Sequence, residues 1–372
     1  MLRSKPVRAI SASAKSRLTF PFQLLPLLLA ALLLWAPGIL TGQSSASLAP
    51  GPKPADIPQA WKPWIGEYRA NISSPPPDIV VSERDGQIEF LRRTISSDDA
   101  HYVRAEKFPA SETAPVNMGL RTNKTGQREI EFGDVIDIKI TPEFDDRAQV
   151  LITPLHPVSA LRADALASSP PHEDGTFRKP ELVELTTLDP AIHLDIRYAT
   201  TNDFLGTSVY TQARAFLQRP AAQALVRALH KLQLLGYGLL IHDAYRPWYV
   251  TKIFWDATPP EGKIFVADPS QGSRHNRGCA VDLTLYDLAT GKPIEMPGTY
   301  DEMSPRSFPD YPGGTSLQRW HRDLLRRAME SEGFTVYEHE WWHFDYKDWH
   351  EYPILNIKFE DLHSGQGLAN AQ

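Results

Sequence analysis

Ser273-Arg274-His275-Asn276-Arg277-Gly278-Cys279-Ala280-Val281-Asp282 runs into the apolar segment Val281–Leu285, and this junction sets the reading of the C-terminal half of the chain. A short apolar run entered through a glycine turn reads as a buried strand. Two other polar segments sit beside strand-like stretches: Asp243-Ala244-Tyr245-Arg246-Pro247 after Leu239–His242, and Glu340-Trp341-Trp342-His343. Helices are expected between them. Pro220, apolar residues at Ala224, Leu225, Ala228, Leu229, Leu232 and Leu235, and Gly236 specify an amphipathic helix with Pro at its start and Gly past its end. A second runs from a Ser316 cap through Leu317, Trp320, Leu324, Leu325, Ala328 and Met329 to Gly333, and Phe334–Tyr337 follows as a strand. Helices packed on a strand set make residues 181–360 an α+β domain.

The polar segments carry the residue types of metal-assisted hydrolysis. Two imidazoles and a carboxylate, His275, Asp282 and His343, leave a fourth tetrahedral position for water, the ligand count of a catalytic zinc centre binding one ion per chain. Gly278 lets the backbone turn so that residues seven apart converge. Glu340, three residues before His343 and flanked by Trp341, suits a general base whose pKa is raised by desolvation. Arg246 is held extended by Pro247 and suits an oxyanion stabiliser; an ion pair with Asp243 is the alternative. Asp345, Asp348, His350 and His339 lack comparable spacing and read as solvated. Cys279 reads as a small buried packing residue.

The 372 residues hold one cysteine, which excludes an intrachain disulfide, a thiolate zinc finger and an iron-sulfur cluster. The net charge of −6 offers no basic field for nucleic acid. Residues 1–46 have no acid, five bases and an apolar run Leu24–Leu40, which reads as an export signal; the broken run leaves an N-terminal membrane anchor open. An exported, periplasmic or cell-envelope location follows. Residues 47–60 read as a linker, 61–157 as a small β-rich accessory domain with a role in cell-wall contact, 158–180 as a second linker and 361–372 as a flexible tail. The β-type stretches are Ile79–Val81, Gln87–Leu91 and Val135–Ile140, with a turn at Arg84-Asp85-Gly86.

Arg197-Tyr198-Ala199-Thr200, Asp243–Pro247, Ser273–Leu285, Met296–Asp301 and Glu340–His343, in this order, resemble the zinc D-alanyl-D-alanine dipeptidases, within the wider group of D-Ala-D-Ala carboxypeptidases and Hedgehog-like folds. The resemblance spans about Leu185 to Tyr352. It implies an antiparallel sheet with packed helices, zinc on His275, Asp282 and His343, Glu340 as acid and base, and Arg246 at the transition state. It also implies that Asp301 and Tyr198 meet the ammonium of a small dipeptide substrate and that Ser273 lies beside it. Met303–Trp320, rich in Pro and Gly, departs from the family pattern at the pocket rim. Two other readings remain: a carboxypeptidase acting on peptidoglycan stem peptides, and a non-catalytic wall-binding protein.

Overall fold

The computed structural model describes residues 48–70, 79–95, 100–109, 118–132, 135–140 and 150–362. The export signal expected over 1–46 and residues 363–372 of the expected tail lie outside them. No helix among the described residues is long and apolar enough to cross a membrane.

The N-terminal part is β-rich. Strands β1 (Gly66–Ala70), β2 (Ile79–Arg84), β3 (Gln87–Ile95), β4 (Ala100–Pro109), β5 (Met118–Thr122), β6 (Arg128–Phe132) and β7 (Val135–Lys139) form an antiparallel sheet of order β4-β3-β2-β1-β7-β6-β5. The turn between β2 and β3 takes positive φ at Asp85 and Gly86, the conformation of a two-residue hairpin whose twist matches its strands. Tyr68, Ile79, Val81, Phe90 and Ile130 form its small apolar core.

Helix α1 (Val158–Ala167) then packs through buried Leu161 and Ala165 into the main core, beside α4 (Trp248–Ala257). The expected linker 158–180 is therefore helical in its first part. No side chain caps α1, so the start signal that sequence reading depends on is missing. The described part of the expected linker, residues 48–60, also packs on its neighbours: Leu48 joins the main core and the Trp320 indole donates to the Gly51 carbonyl at 3.0 Å.

The C-terminal part contains β8 (Leu182–Glu184), α2 (Leu185–Leu188), β9 (Ile192–Leu194), β10 (Phe216–Gln218), α3 (Arg219–Gln233), β11 (Tyr237–Asp243), β12 (Ala280–Asp287), α5 (Ser316–Glu330), β13 (Phe334–Tyr337) and β14 (Glu340–Tyr346). A five-stranded sheet runs β13-β14-β12-β11-β9. It is antiparallel except at β9, which runs parallel to β11, so the expected antiparallel sheet is corrected to a mixed one. The long connection through β10 and α3 permits that direction, since parallel neighbours need a crossover. The apolar stripe Ala221, Ala224, Leu225, Ala228, Leu229 and Leu232 of α3 is fully buried. Helix α5 is capped by Thr315, one residue before the expected Ser316, in a capping box with Gln318. Ser316 is occupied elsewhere: its backbone N–H donates to Glu83 Oε2 at 2.8 Å.

That contact belongs to the junction of the two parts. The Glu83 N–H donates to the Gly314 carbonyl at 3.0 Å, and Arg319 donates to the Glu83 carbonyl at 2.6 Å and to the carbonyls of Pro312, Gly313 and Gly314. Val80 and Leu91 pack on Tyr311. The Pro- and Gly-rich departure noted in the sequence is thus the surface on which the N-terminal sheet rests.

Candidate active site

Sheet register creates the site. Asp282 of β12 stands opposite His343 of β14 and is paired with Asp243 of β11, where the pairing shifts by one residue beside His242. His275 enters from a single 3-10 turn, His275–Arg277, that ends on Gly278 at φ 67°. A side chain there would be strained, and its Cβ would meet Leu182 at 2.5 Å.

The facing atoms form a triangle. His275 Nε2 lies 3.1 Å from His343 Nδ1 and 3.3 Å from Asp282 Oδ1, and His343 Nδ1 lies 3.1 Å from Asp282 Oδ1. Ligands about 2.0–2.1 Å from a tetrahedral ion are about 3.3 Å apart, so the three atoms fit one metal ion. Their outer atoms are already engaged. His275 Nδ1 lies 2.6 Å from the Ala244 carbonyl, which takes its proton and frees Nε2. His343 Nε2 lies 2.9 Å from Asp345 Oδ1, and Tyr300 donates to Asp282 Oδ2 at 3.1 Å. Apart from the two imidazole nitrogens that face it, Asp282 Oδ1 is buried without a hydrogen-bond partner.

Electrostatics favour positive charge in the triangle. Burial alone would raise the pKa of Asp282, yet His275 and His343 hold it far below the usual carboxylate range. Burial opposes charge on His343, yet Asp345 and Asp282 raise its pKa to about 10. Glu340 Oε2 lies 3.7 Å from His343 Nδ1, and burial pushes the Glu340 carboxyl up to about 8, with Asp282 adding to the rise and His343 and Arg246 opposing it.

Arg246 forms the ion pair with Asp243, the alternative weighed for it. It donates through Nε to Asp243 Oδ2 at 2.9 Å, with its Nη2 2.8 Å from the same oxygen, and it lines the same cavity as the triangle, above the Tyr198 and Phe254 rings. The carboxylate therefore aims the guanidinium. Asp301 shares this cavity of about 100 Å³ with Glu340, Ser273 and Tyr198. Tyr198 donates to Asp301 Oδ1 at 2.9 Å, while Oδ2 is buried without a partner. Asp301 also sits at φ 59°, a costly backbone for a residue other than glycine. Burial and nearby Asp282 raise its pKa well above the ordinary value. Ser273 Oγ accepts from the His275 N–H at 3.2 Å, bracing the turn that carries the imidazole.

All eight residues singled out in the sequence line this one cavity. The family description "D-ala-D-ala dipeptidase" matches residues 178–363. The D-alanyl-D-alanine dipeptidase of Escherichia coli (strain K12) is 36% identical over 179 residues, covering 48% of this chain and 91% of that protein. Those of Enterococcus faecalis (strain ATCC 700802 / V583) and Enterococcus faecium are 35% and 34% identical, covering 46% and 48% of this chain and 95% and 98% of theirs. The chain belongs to the D-Ala-D-Ala dipeptidase family. As a member of this peptidase family it is a hydrolase, and the matched region contains the whole cavity.

Sequence reading missed three supporting residues of this dipeptidase-family site. Asp345, expected to be solvated, bonds His343 and is largely buried; its place two residues along the same strand, hence on the same face, was the available signal. Tyr300, inside the quoted segment Met296–Asp301 but given no role there, donates to Asp282, and Tyr210, which has no local signature, donates to Asp243 Oδ1 at 2.7 Å. Cys279 is buried and its thiol pKa is raised by burial, as suits packing.

Proposed function

We propose that the protein is an exported zinc dipeptidase that hydrolyses D-Ala-D-Ala or a similar small wall-derived dipeptide. The observation that carries this reading is one cavity lined by a three-atom metal cradle, a buried carboxyl beside it and a second, half-satisfied carboxyl at Asp301. His275, Asp282 and His343 would hold the ion; bound zinc polarises a carbonyl and brings water to a pKa of about 7. Glu340 takes the proton of the attacking water and delivers it to the leaving amine, a role its raised pKa suits near neutrality. Arg246, fixed by Asp243, donates to the oxygen on which negative charge develops. Asp301, with Tyr198 holding its other oxygen, receives the substrate ammonium and so selects free dipeptides over internal segments of longer chains. Export is supported by the acid-free, basic N-terminus with its apolar run.

The test compares D-Ala-D-Ala with its N-acetylated form and with a stem pentapeptide, using wild type and Asp301→Asn. Wild type is expected to favour the free dipeptide, with a preference reduced by about tenfold or more in Asp301→Asn, the scale of one charge-assisted contact. Equal or faster turnover of the pentapeptide by wild type overturns the dipeptidase reading in favour of a carboxypeptidase.

A further inference from the structure

The loop 297–307 brings Asp301 to the catalytic cavity and the Tyr300 hydroxyl to Asp282. It holds Asp301 at φ 59°, a conformation that persists in a residue other than glycine only where its surroundings over-determine it. One neighbouring side chain supplies much of that constraint.

Glu302 is 8% exposed and turns its carboxylate back over its own loop. Its Oε2 accepts from the Thr299 backbone N–H at 3.0 Å and from the Thr299 hydroxyl at 3.2 Å. Its Oε1 accepts from Ser304 Oγ at 2.8 Å and from Arg306 Nη1 at 3.2 Å. Thr299 precedes the Tyr300 and Asp301 pair, and Ser304 and Arg306 follow it, so the carboxylate closes a ring around the two residues that reach the site. Arg306 widens the ring by donating through Nε to the Pro297 carbonyl at 3.1 Å, and the Ser304 N–H and Ser307 Oγ donate to the Glu302 carbonyl. The Arg306 carbonyl comes so close to Gly298 that a Cβ there would lie 2.5 Å from it. The loop is tied from end to end.

Hydrogen bonding separates the two adjacent acids. Four donors fill the oxygens of Glu302, about the full acceptor capacity of a carboxylate. Asp301 has one side-chain donor among the described residues, the Tyr198 hydroxyl at 2.9 Å. We propose that Glu302 is a positioning residue that sets the preference for a free amino terminus: through the loop it fixes the backbone of Asp301 and hence the direction of the Asp301 carboxyl. The inference rests on the ammonium role proposed above for Asp301. Without the Glu302 ring, Asp301 relaxes from its left-handed backbone, releases Tyr198 and no longer meets the ammonium.

The test measures kcat and KM at saturating zinc for D-Ala-D-Ala and its N-acetylated form, using the full chain as wild type, Glu302→Ala, Glu302→Gln and Asp301→Asn, together with a crystal structure of Glu302→Ala. In Glu302→Ala, KM for the free dipeptide is expected to rise by about tenfold, the scale of one charge-assisted contact. Its kcat should stay within about threefold, and the acetylated substrate should be unaffected, the signature of losing a contact made equally in the ground and transition states. Adding Glu302→Ala to Asp301→Asn should cost nothing further, because both act through one carboxyl. Glu302→Gln keeps one acceptor oxygen, should fall between wild type and Glu302→Ala, and carries the comparison if Glu302→Ala does not fold. The proposal is overturned if Asp301→Asn lowers the preference and neither Glu302 variant does, if the Glu302 variants slow both substrates alike, or if Asp301 keeps its backbone and its Tyr198 bond in the Glu302→Ala crystal. An unchanged preference in Asp301→Asn is a separate outcome, which overturns the ammonium reading and with it the specificity assigned to Glu302.

Discussion

The seven-stranded and five-stranded sheets of this protein both bury acidic residues, and the acids meet different surroundings in each. In the N-terminal sheet, buried Glu89 accepts from Ser82 at 3.1 Å and from Arg84 at 3.0 Å, and Glu129 accepts from Arg121 at 2.7 Å and Asn123 at 2.8 Å. These charges are neutralised from the neighbouring strand and its turn. At the C-terminal sheet, Asp243, Asp282, Glu340 and Asp345 of the strands and Asp301 of a loop converge from four stretches of chain; Asp282 Oδ1 faces only the two imidazoles, and Asp301 keeps a buried oxygen without a hydrogen-bond partner. Paired carboxylates hold a fold together; crowded and half-satisfied ones are tolerated where a cation is to be received. Among these residues, Glu89 and Glu129 each have two side-chain donors, whereas Asp301 has one, from Tyr198.

The contrast is broken most sharply by Glu340→Gln, which removes a proton carrier and leaves the triangle intact. Hydrolysis should fall by about 100- to 10,000-fold with zinc content unchanged by elemental analysis. Loss of zinc along with activity would instead make Glu340 part of the cradle. Asp345→Asn should act differently, lowering zinc affinity by about 10- to 100-fold, the usual effect of altering an outer partner of a metal-bound imidazole; a chelator competition measures it. An unchanged affinity would return Asp345 to the solvated role first expected of it.

The pH profile sharpens the comparison further. A carboxyl with a raised pKa stays protonated to higher pH, and a protonated Glu340 cannot accept a proton. The acid limb of kcat/KM should therefore lie above the ordinary glutamate value of about 4.3 and no higher than about 8, since a bound cation draws it downward. A limb at the ordinary value would mean that burial does not tune this residue. The smallest effect is expected in the N-terminal sheet: Arg84→Gln should lower the melting temperature and leave kcat/KM within about twofold, as for substitutions remote from the chemistry. A large kinetic loss would show that the Glu83 and Arg319 junction carries strain from the N-terminal sheet to the loop bearing Asp301.

The sequence was readable where a signal is local. Apolar runs bounded by Gly marked β11 and β12, Pro220 and Gly236 bracketed α3, and two imidazoles with a carboxylate announced the triangle. It was silent where the cause is tertiary. Helix α1 is stabilised by packing on α4 and shows no cap, and β9 becomes parallel only because of where its crossover returns. Tyr210 holds the Asp243 carboxylate from a loop 33 residues earlier in the chain. In the departure over Met303–Trp320, Met303 lines the catalytic cavity as a rim residue, while Tyr311–Arg319 faces the N-terminal sheet, a partner no local pattern could reveal.

The most direct measurement is a zinc titration of the metal-stripped full chain, with D-Ala-D-Ala hydrolysis followed at each point. Activity rising in proportion to occupancy and saturating at one ion per chain, with both lost in Asp282→Ala, is the expected result. Full hydrolysis by the stripped protein, or undiminished zinc binding by Asp282→Ala, would contradict the assignment of His275, Asp282 and His343 as the centre of this enzyme.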